Sequence, residues 1–158
     1  MKGVLAMVAA LAAVASVSAS NGPTEDVASR ARGAGRVVVA QVVDVQPRFD
    51  VNEYGDRLIV SQAVVSVEES LKGPHSSVVL VDFEGGSIGG LSLNVSDMPS
   101  LKHNDRAVFF LESTPTRTGA YRLRRRGLGV MRLDSANRIL GNGMTLDQVR
   151  AAVRGAAR

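Results

Sequence analysis

The sequence predicts a mainly β domain, a small closed or half-closed barrel of five or six strands followed by one C-terminal helix. Two observations lead to this prediction. From Arg36 onward, Val-rich segments follow one another with connections of three to eight residues, and after residue 133 the apolar spacing becomes helical. A two-sheet sandwich is the alternative architecture.

Residues 1–19 contain the three parts of a secretory signal peptide. Lys2 supplies the positive charge, Val4–Ala15 is an unbroken apolar run, and small residues lead to a cleavage site placed after Ala19. The alternative, a retained N-terminal anchor, fits less well, because the run is short for a membrane span and no second apolar segment of spanning length follows it. We therefore predict an exported protein, periplasmic or secreted, with no transmembrane segment after signal removal.

The mature chain begins with a polar segment, residues 20–35, in which Thr24 could cap a short helix. The barrel domain then spans residues 36–133. In its first strand, Val37–Val45, β-branched residues dominate and both faces are expected to be largely covered. The following segment, Gln46–Asp56, is predicted to be a loop.

Further segments with strand character complete the predicted barrel. They are Arg57–Glu69, Ser77–Phe83, Leu91–Val95, Arg106–Leu111, and finally Tyr121–Arg126 and Leu128–Leu133, which form two strands or one strand bent at Gly127 and Gly129. Phe83 should point into the core. Because consecutive strand residues face opposite ways, one of Phe109 and Phe110 should also point inward, with the other covered by the terminal helix.

Residues 134–158 are predicted to form a turn and the C-terminal helix. Thr145 and Gln148 have the spacing of a capping box, and Leu146, Val149 and Val153 share one helix face. A single helix of this kind should pack across the end of the sheet.

The order of these motifs resembles that of a loose group of exported, mostly uncharacterised bacterial proteins. The resemblance covers residues 36–133 and includes the Leu71-Lys72-Gly73 turn, the paired glycines of Gly85–Gly90 and the strand Asp105–Leu111. Around Val60–Gly73 the chain also resembles, more distantly, the netrin-like or tissue-inhibitor-of-metalloproteinases module. That resemblance implies a small OB-like barrel.

The inhibitory device of those proteins does not carry over with the fold. It chelates zinc with an N-terminal Cys held by disulfides, and this sequence has no Cys. The absence of Cys also excludes disulfide scaffolds, thiolate zinc sites, iron–sulfur clusters and a cysteine nucleophile.

No constellation in the sequence supports catalysis or metal binding. His75 and His103 stand apart in separate turns, and no Gly-x-Ser-x-Gly elbow occurs. Gly85–Gly90 lacks the Gly-Lys-Ser/Thr ending of a phosphate loop and is followed by a strand pattern. We therefore expect no catalytic residues, no metal site, no cofactor and no enzymatic activity.

The paired glycines allow two interpretations. Gly85, Gly86, Gly89 and Gly90 can supply positive φ at a hairpin or barrel corner. Alternatively, they form a surface loop that contacts a partner.

Charge is distributed unevenly along the chain. Residues 117–158 contain ten Arg and two Asp, whereas residues 20–116 contain eight basic and thirteen acidic residues. The basic residues concentrate in one run, Arg122, Arg124, Arg125 and Arg126. If this run is a strand, Arg122, Arg124 and Arg126 project from one face, where their mutual repulsion is relieved by an acidic partner.

Three kinds of acidic partner remain open. The first is internal, from acids of the first half of the chain such as Glu68, Glu69, Asp82 or Glu84. The second is an external anion, such as an anionic lipid headgroup, a polysaccharide or an acidic protein. The third, nucleic acid, is disfavoured by export and by an aromatic content of 4%.

We therefore predict an exported, non-enzymatic binding or interaction module of the bacterial cell envelope. Its partner is expected to be an envelope protein or an anionic polymer, bound with an affinity that falls with salt. The predicted contact surface consists of Arg122, Arg124, Arg125, Arg126, Gly85, Gly86, Gly89 and Gly90. The alternative is a protease-inhibitor-like protein that uses the barrel edge or the N-terminal segment as a wedge.

Overall fold

The computed structural model describes residues 23–51, 54–114 and 117–157, so the predicted signal peptide lies outside the described residues. The elements, in chain order, are α1 (Pro23–Gly33), β1 (Arg36–Val51), β2 (Arg57–Lys72), β3 (Val78–Glu84), β4 (Gly86–Ile88), β5 (Leu91–Leu93), β6 (Arg106–Ser113), β7 (Ala120–Leu123), β8 (Val130–Arg132) and α2 (Leu146–Ala156). A short 3-10 helix, Arg126–Gly129, separates β7 from β8. Neither α1 nor α2 has the length and apolar content needed to cross a bilayer.

Five of the strands pair in a ring. β1 pairs with β2, β2 with β3, β3 with β7 and β7 with β6, and β6 pairs again with β1. The β3–β7 pair is parallel and the other pairs are antiparallel. β8 adds a sixth strand on β6, next to β7, while β4 and β5 form a separate hairpin. The predicted class, a mainly β, barrel-like domain of five to six strands with a C-terminal helix, is confirmed.

The two faces of β6 serve two separate cores. Phe109 packs inside the ring, in a core to which all five ring strands contribute and which includes Phe83. Phe110 lies on the opposite face, in a second core formed with α1 and α2. The predicted orientations of Phe83 and of the Phe pair are therefore confirmed. Tyr121 packs against the ring interior, where the guanidinium of Arg36 lies 5.4 Å from the centroid of the Tyr121 ring.

The C-terminal helix begins as its capping box predicts. The Thr145 hydroxyl accepts a hydrogen bond from the Gln148 N–H at 3.3 Å, and the Gln148 side chain accepts one from the Thr145 N–H at 2.9 Å. Leu146, Val149 and Val153 are buried on one face. However, α2 does not cover the sheet alone. It packs beside α1 over the outer face of β1 and β6, because the apolar area there is wider than one helix covers.

Leu71 and Lys72, which the sequence placed in a turn, are the last residues of β2, and this end of the strand holds the C-terminal end of α1. The Lys72 ammonium donates to the carbonyl oxygens of Ala31 at 2.8 Å and Ala34 at 2.7 Å, and Leu71 packs against the helical core. Gly73 has a φ of +86°, and a Cβ there would lie 2.9 Å from the carbonyl oxygen of Gly35. The end of β2, with Gly73 after it, therefore attaches the N-terminal helix to the barrel.

The N-terminal helix itself differs from the prediction in one detail. α1 begins at Pro23, a residue type that favours the first helical position. Thr24 therefore lies inside the first turn, and the predicted cap at Thr24 is wrong.

The predicted loop at Gln46–Asp56 is wrong for its first half. β1 continues through Pro47 to Val51, and this part pairs with the start of β2. Proline is compatible with the strand because β6 pairs with β1 only over Arg36–Gln41, which leaves the later part of β1 on a free edge within the described residues.

Side chains bond to the backbone along this free edge. The register with β2 shifts between Val42 and Asp44. Beyond the shift, the Asp44 carboxylate accepts a hydrogen bond from the Val45 N–H at 2.9 Å, and the Asp50 carboxylate accepts one from the Val51 N–H at 2.8 Å.

Candidate functional site

The basic run does not form one strand. β7 ends at Leu123, and Arg125 and Arg126 have positive φ values of 53° and 57°. The chain then enters the 3-10 helix. The prediction that Arg122, Arg124 and Arg126 project from one strand face is therefore wrong.

Close backbone contacts cause the strand to end. The Gly127 N–H donates to the carbonyl oxygen of Asp97 at 2.8 Å, and a Cβ on Gly127 would lie 2.7 Å from that oxygen. A Cβ on Gly129 would likewise lie 2.7 Å from the carbonyl oxygen of Arg124. The glycines therefore let the chain turn tightly against the segment before β6, which a continuous strand would not allow.

The Glu112 carboxylate forms ion pairs with the first two arginines of the run. The Arg122 guanidinium donates to Glu112 Oε1 at 2.9 Å, and Arg124 donates to Glu112 Oε2 at 3.5 Å. Glu112 and Arg122 are register partners on β6 and β7, which places their side chains on the same face. Both guanidinium charges are therefore offset inside the molecule.

Arg126 joins the basic run to the end of β3. Its guanidinium donates to Glu84 Oε2 at 2.7 Å and also pairs with Asp97. These two hydrogen bonds, with Glu84 the larger cause, raise the pKa of Arg126 above its ordinary value. Because Glu84 directly precedes Gly85, the pair brings the two predicted contact segments together.

Arg125 differs from the other three arginines. Its side chain is exposed, and it forms no ion pair with any of the described residues. The side chain lines a groove with a volume of about 270 Å³. Arg125 therefore presents a guanidinium without an internal carboxylate at the rim of a concave surface.

Charged side chains of both signs line this groove. Among the described residues, the lining includes four guanidiniums and four carboxylates: Arg48, Arg122, Arg125, Arg126, Asp50, Asp82, Glu84 and Glu112. Arg48 pairs with Asp50 at 2.9 Å and with Asp82 at 3.4 Å. The rest of the described lining consists of Thr114 and of mainly apolar side chains, among them Val51, Phe83 and the aromatic ring of Tyr54.

The acids named as internal partners pair mostly with other arginines. Glu84 pairs with Arg126, whereas Glu68 pairs with Arg106 at 2.7 Å and Glu69 with Arg150 at 2.6 Å. Asp82 likewise pairs outside the run. The partners that the sequence analysis missed are Glu112 and Asp97, and only the strand register and the turn after β7 identify them.

The first glycine pair packs tightly against β2. The Gly85 N–H donates to the Ile59 carbonyl at 2.8 Å, and the buried Ser61 hydroxyl donates to the Gly85 carbonyl at 2.6 Å. A Cβ on Gly86 would lie 2.4 Å from the Ser61 hydroxyl oxygen. Gly85 and Gly86 line a second cavity of about 290 Å³, which shares Phe83 with the groove.

The second glycine pair forms the turn of the β4–β5 hairpin. Gly89 and Gly90 have φ values of +56° and +82°, and a Cβ on either would meet no atom within 4 Å. The hairpin interpretation of the glycine segment is confirmed. Of the predicted contact residues, the structure thus places Gly89 and Gly90 at the hairpin tip, outside the lining of the groove.

The histidines lie apart from the groove. His103 makes a hydrogen bond of 2.8 Å between Nδ1 and the Val43 carbonyl oxygen. Within the three described ranges, no group of three or more His, Asp or Glu side chains could hold a metal ion.

Neither a protein family model nor a curated protein matches this chain.

Proposed function

We propose that the protein is an exported, non-enzymatic binding module of the bacterial cell envelope, built on an OB-type barrel, with its ligand site in the groove at Arg125. The strand order supports the OB-type assignment. The ring runs in the order β1, β2, β3, β7 and β6, with β3 and β7 parallel, and β6 pairs with β1 to complete it. The proposal depends on one observation, namely that Arg125 faces the groove without a carboxylate among the described residues.

A free guanidinium at a groove is suited to an anionic ligand. Its N–H groups form a planar fork that matches a carboxylate or a phosphate, and charge-assisted hydrogen bonds are stronger than neutral ones. Arg122, Arg124 and Arg126 contribute less than the sequence suggested, because an incoming anion would have to compete with Glu112, Glu84 and Asp97 for them. Binding is therefore expected to depend on Arg125 first.

The test compares two arginine variants of the mature protein, residues 20–158. Arg125→Gln removes the groove guanidinium. Arg138→Gln removes another exposed arginine, outside the groove, and is the matched control. Binding of an acidic polymer, an acidic peptide and a small carboxylate is measured by calorimetry at low and at high salt. We expect at least one of them to bind the unchanged protein and Arg138→Gln, and to bind Arg125→Gln at least tenfold more weakly.

Two results would contradict the proposal. One is that none of these anions binds the unchanged protein, and the other is that Arg125→Gln and Arg138→Gln bind equally well.

Export is tested separately by producing the full chain in a bacterial host. Recovery of the protein in the periplasm or medium with a new N-terminus near Ser20 is expected, and an uncleaved cytoplasmic product argues against export.

The protease-inhibitor alternative stays a prediction. Val27 and Ala31 of α1 are fully buried, so a wedge made by the N-terminal segment would have to come from residues before this helix. Dose-dependent inhibition of a secreted peptidase by the mature protein is the result that would favour it.

A further inference from the structure

We infer that the groove takes a small organic carboxylate with one negative charge and an apolar body, rather than an acidic polymer. This inference rests on the proposed function, since it names the class of ligand for the same site. Three features of the groove carry it: the number of free cations, the fixed position of Arg125 and the apolar part of the lining.

The number of free cations limits the charge of the ligand. An acidic polymer gains affinity from several cations that neutralise successive charges. In this groove Arg48 and Arg126 each contact two carboxylates, and Arg122 is paired with Glu112. A second negative charge on the ligand would have to displace one of these carboxylates and leave it without its partner, which is costly. One carboxylate on the ligand matches Arg125, which among the described lining residues is the one arginine without an ion pair.

The backbone at Arg125 is held on both sides. The Arg124 N–H donates to the Phe110 carbonyl at 2.9 Å, and the Leu128 N–H donates to the Arg125 carbonyl at 3.3 Å. With its φ of 53°, Arg125 therefore occupies a turn position whose backbone is hydrogen-bonded on both sides. Because little backbone order is lost on binding, a single ion contact can contribute usefully to affinity.

The apolar lining favours a ligand with an apolar body. Val51 and Tyr54 line the groove with 58% and 74% of their surfaces exposed. Phe83, which is buried, contributes to the same surface. The volume of about 270 Å³ lies just below the range of ordinary small-molecule sites, so the matching ligand is a small one.

The experiment uses four probes on the mature protein. They are 3-phenylpropanoate, its neutral amide, acetate and poly-L-glutamate, each titrated by calorimetry and by backbone NMR. We expect 3-phenylpropanoate to bind at least tenfold more tightly than either the amide or acetate, and to shift the amide signals of Val51, Tyr54 and Arg125. Poly-L-glutamate should bind more weakly per carboxylate than 3-phenylpropanoate.

Three variants assign these effects to groups. Arg125→Gln should lower the affinity for 3-phenylpropanoate about tenfold, and Arg125→Lys should lower it less, because the charge remains and the planar fork is lost. Arg138→Gln, outside the groove, should bind as the unchanged protein does. Circular dichroism and thermal unfolding show whether each variant is folded, and the NMR shifts of the unchanged protein locate the site independently of any variant.

The possible results separate the inference from the proposed function. If poly-L-glutamate binds tightly through Arg125 and 3-phenylpropanoate does not bind, the inference is overturned and the proposed function stands. If 3-phenylpropanoate and its amide bind equally, the carboxylate has no role and the inference is also overturned. If no probe binds the unchanged protein, both proposals fall.

Discussion

Replacing Lys72 by Met should loosen α1 from the barrel without disturbing the barrel itself. The half-buried Lys72 ammonium donates to three carbonyl oxygens at the end of α1, those of Ala31 at 2.8 Å, Ala34 at 2.7 Å and Arg32 at 3.4 Å. Met keeps the length and the apolar stem of the side chain and removes only the charge and its hydrogen bonds.

The expected loss follows from these contacts. A hydrogen bond to a charged group contributes about 1.5–3 kcal/mol, and a cation at a helix C-terminus adds about 0.3–1 kcal/mol. Because water reaches the freed carbonyls in part, the loss should stay near the value of one strong bond, about 2–3 kcal/mol in the free energy of unfolding.

Urea unfolding measures the total loss, and hydrogen exchange of the α1 amides locates it. Lys102→Met, at an exposed lysine on the loop before β6, is the matched control and should change stability by less than about 0.5 kcal/mol. If Lys72→Met is as stable as Lys102→Met, and its α1 amides exchange as slowly as before, Lys72 at the end of β2 does not hold the helix and the reasoning is wrong.

Three further predictions concern the hairpin, the terminal helix and acid stability. Gly86→Ala should lower the free energy of unfolding by about 2–4 kcal/mol, because the new methyl group would meet a buried hydroxyl at 2.4 Å. Gly89→Ala, whose methyl group would meet no atom within 4 Å, should lower it by only about 1 kcal/mol. Urea unfolding of both variants tests this, and equal losses would contradict it. Thr145→Ala removes the cap of α2 and should cost about 1 kcal/mol by the same measurement, and an unchanged value would show that the cap is dispensable. The hydrogen bond from the Val51 N–H, and next the neighbouring guanidinium of Arg48, hold the pKa of Asp50 below its ordinary 3.8, so the stability that this carboxylate contributes is complete above that pH and is lost as the pH falls through the lower, folded-state pKa. Asp50→Asn should therefore make the thermal unfolding temperature less dependent on pH below 3.8. The same pH dependence in the variant and the unchanged protein would contradict this.

The elements that the sequence predicted well depend on local patterns. The capping box at Thr145 and Gln148 needs only residues three apart, and the opposite faces of Phe109 and Phe110 follow from the two-residue period of a strand. Such signals lie within a few residues of one another, so a single sequence is sufficient to find them.

The elements that were predicted wrongly depend on distant neighbours. Pro47 indicated a loop, but it lies in a strand because β6 leaves that side of β1 unpaired. The end of β7 at Leu123 depends on the contact between Gly127 and Asp97, thirty residues apart in the chain. No local pattern reports such contacts.

The same limit applies to the groove. The run at Arg122–Arg126 is visible in the sequence as a charge cluster, but its net effect depends on which carboxylates face it. Glu112 faces Arg122 and Arg124 because of the β6–β7 register, whereas Arg125 lies at the turn that follows and forms no ion pair within the described part of the chain. The charge cluster predicted a basic surface, but of the four arginines in the described groove lining only Arg125 has no ion pair.

The free edge of β1 affects whether copies of this protein can pair strand to strand at high protein concentration. Residues 44–51 of β1 and 57–62 of β2 form a two-stranded ribbon that contains Val. A strand from another chain can pair with an open strand edge of this kind. The N–H groups of residues 45 and 51 bond to side chains and not to β2, and because alternate residues of a strand share a direction, we infer that the nitrogens of residues 47 and 49 also point away from β2. Two of these N–H groups are already bound by Asp44 and Asp50, and at residue 47 proline has none. An approaching strand would therefore find only the N–H of residue 49 out of four donor positions, so the edge resists growth into stacked sheets while it remains exposed.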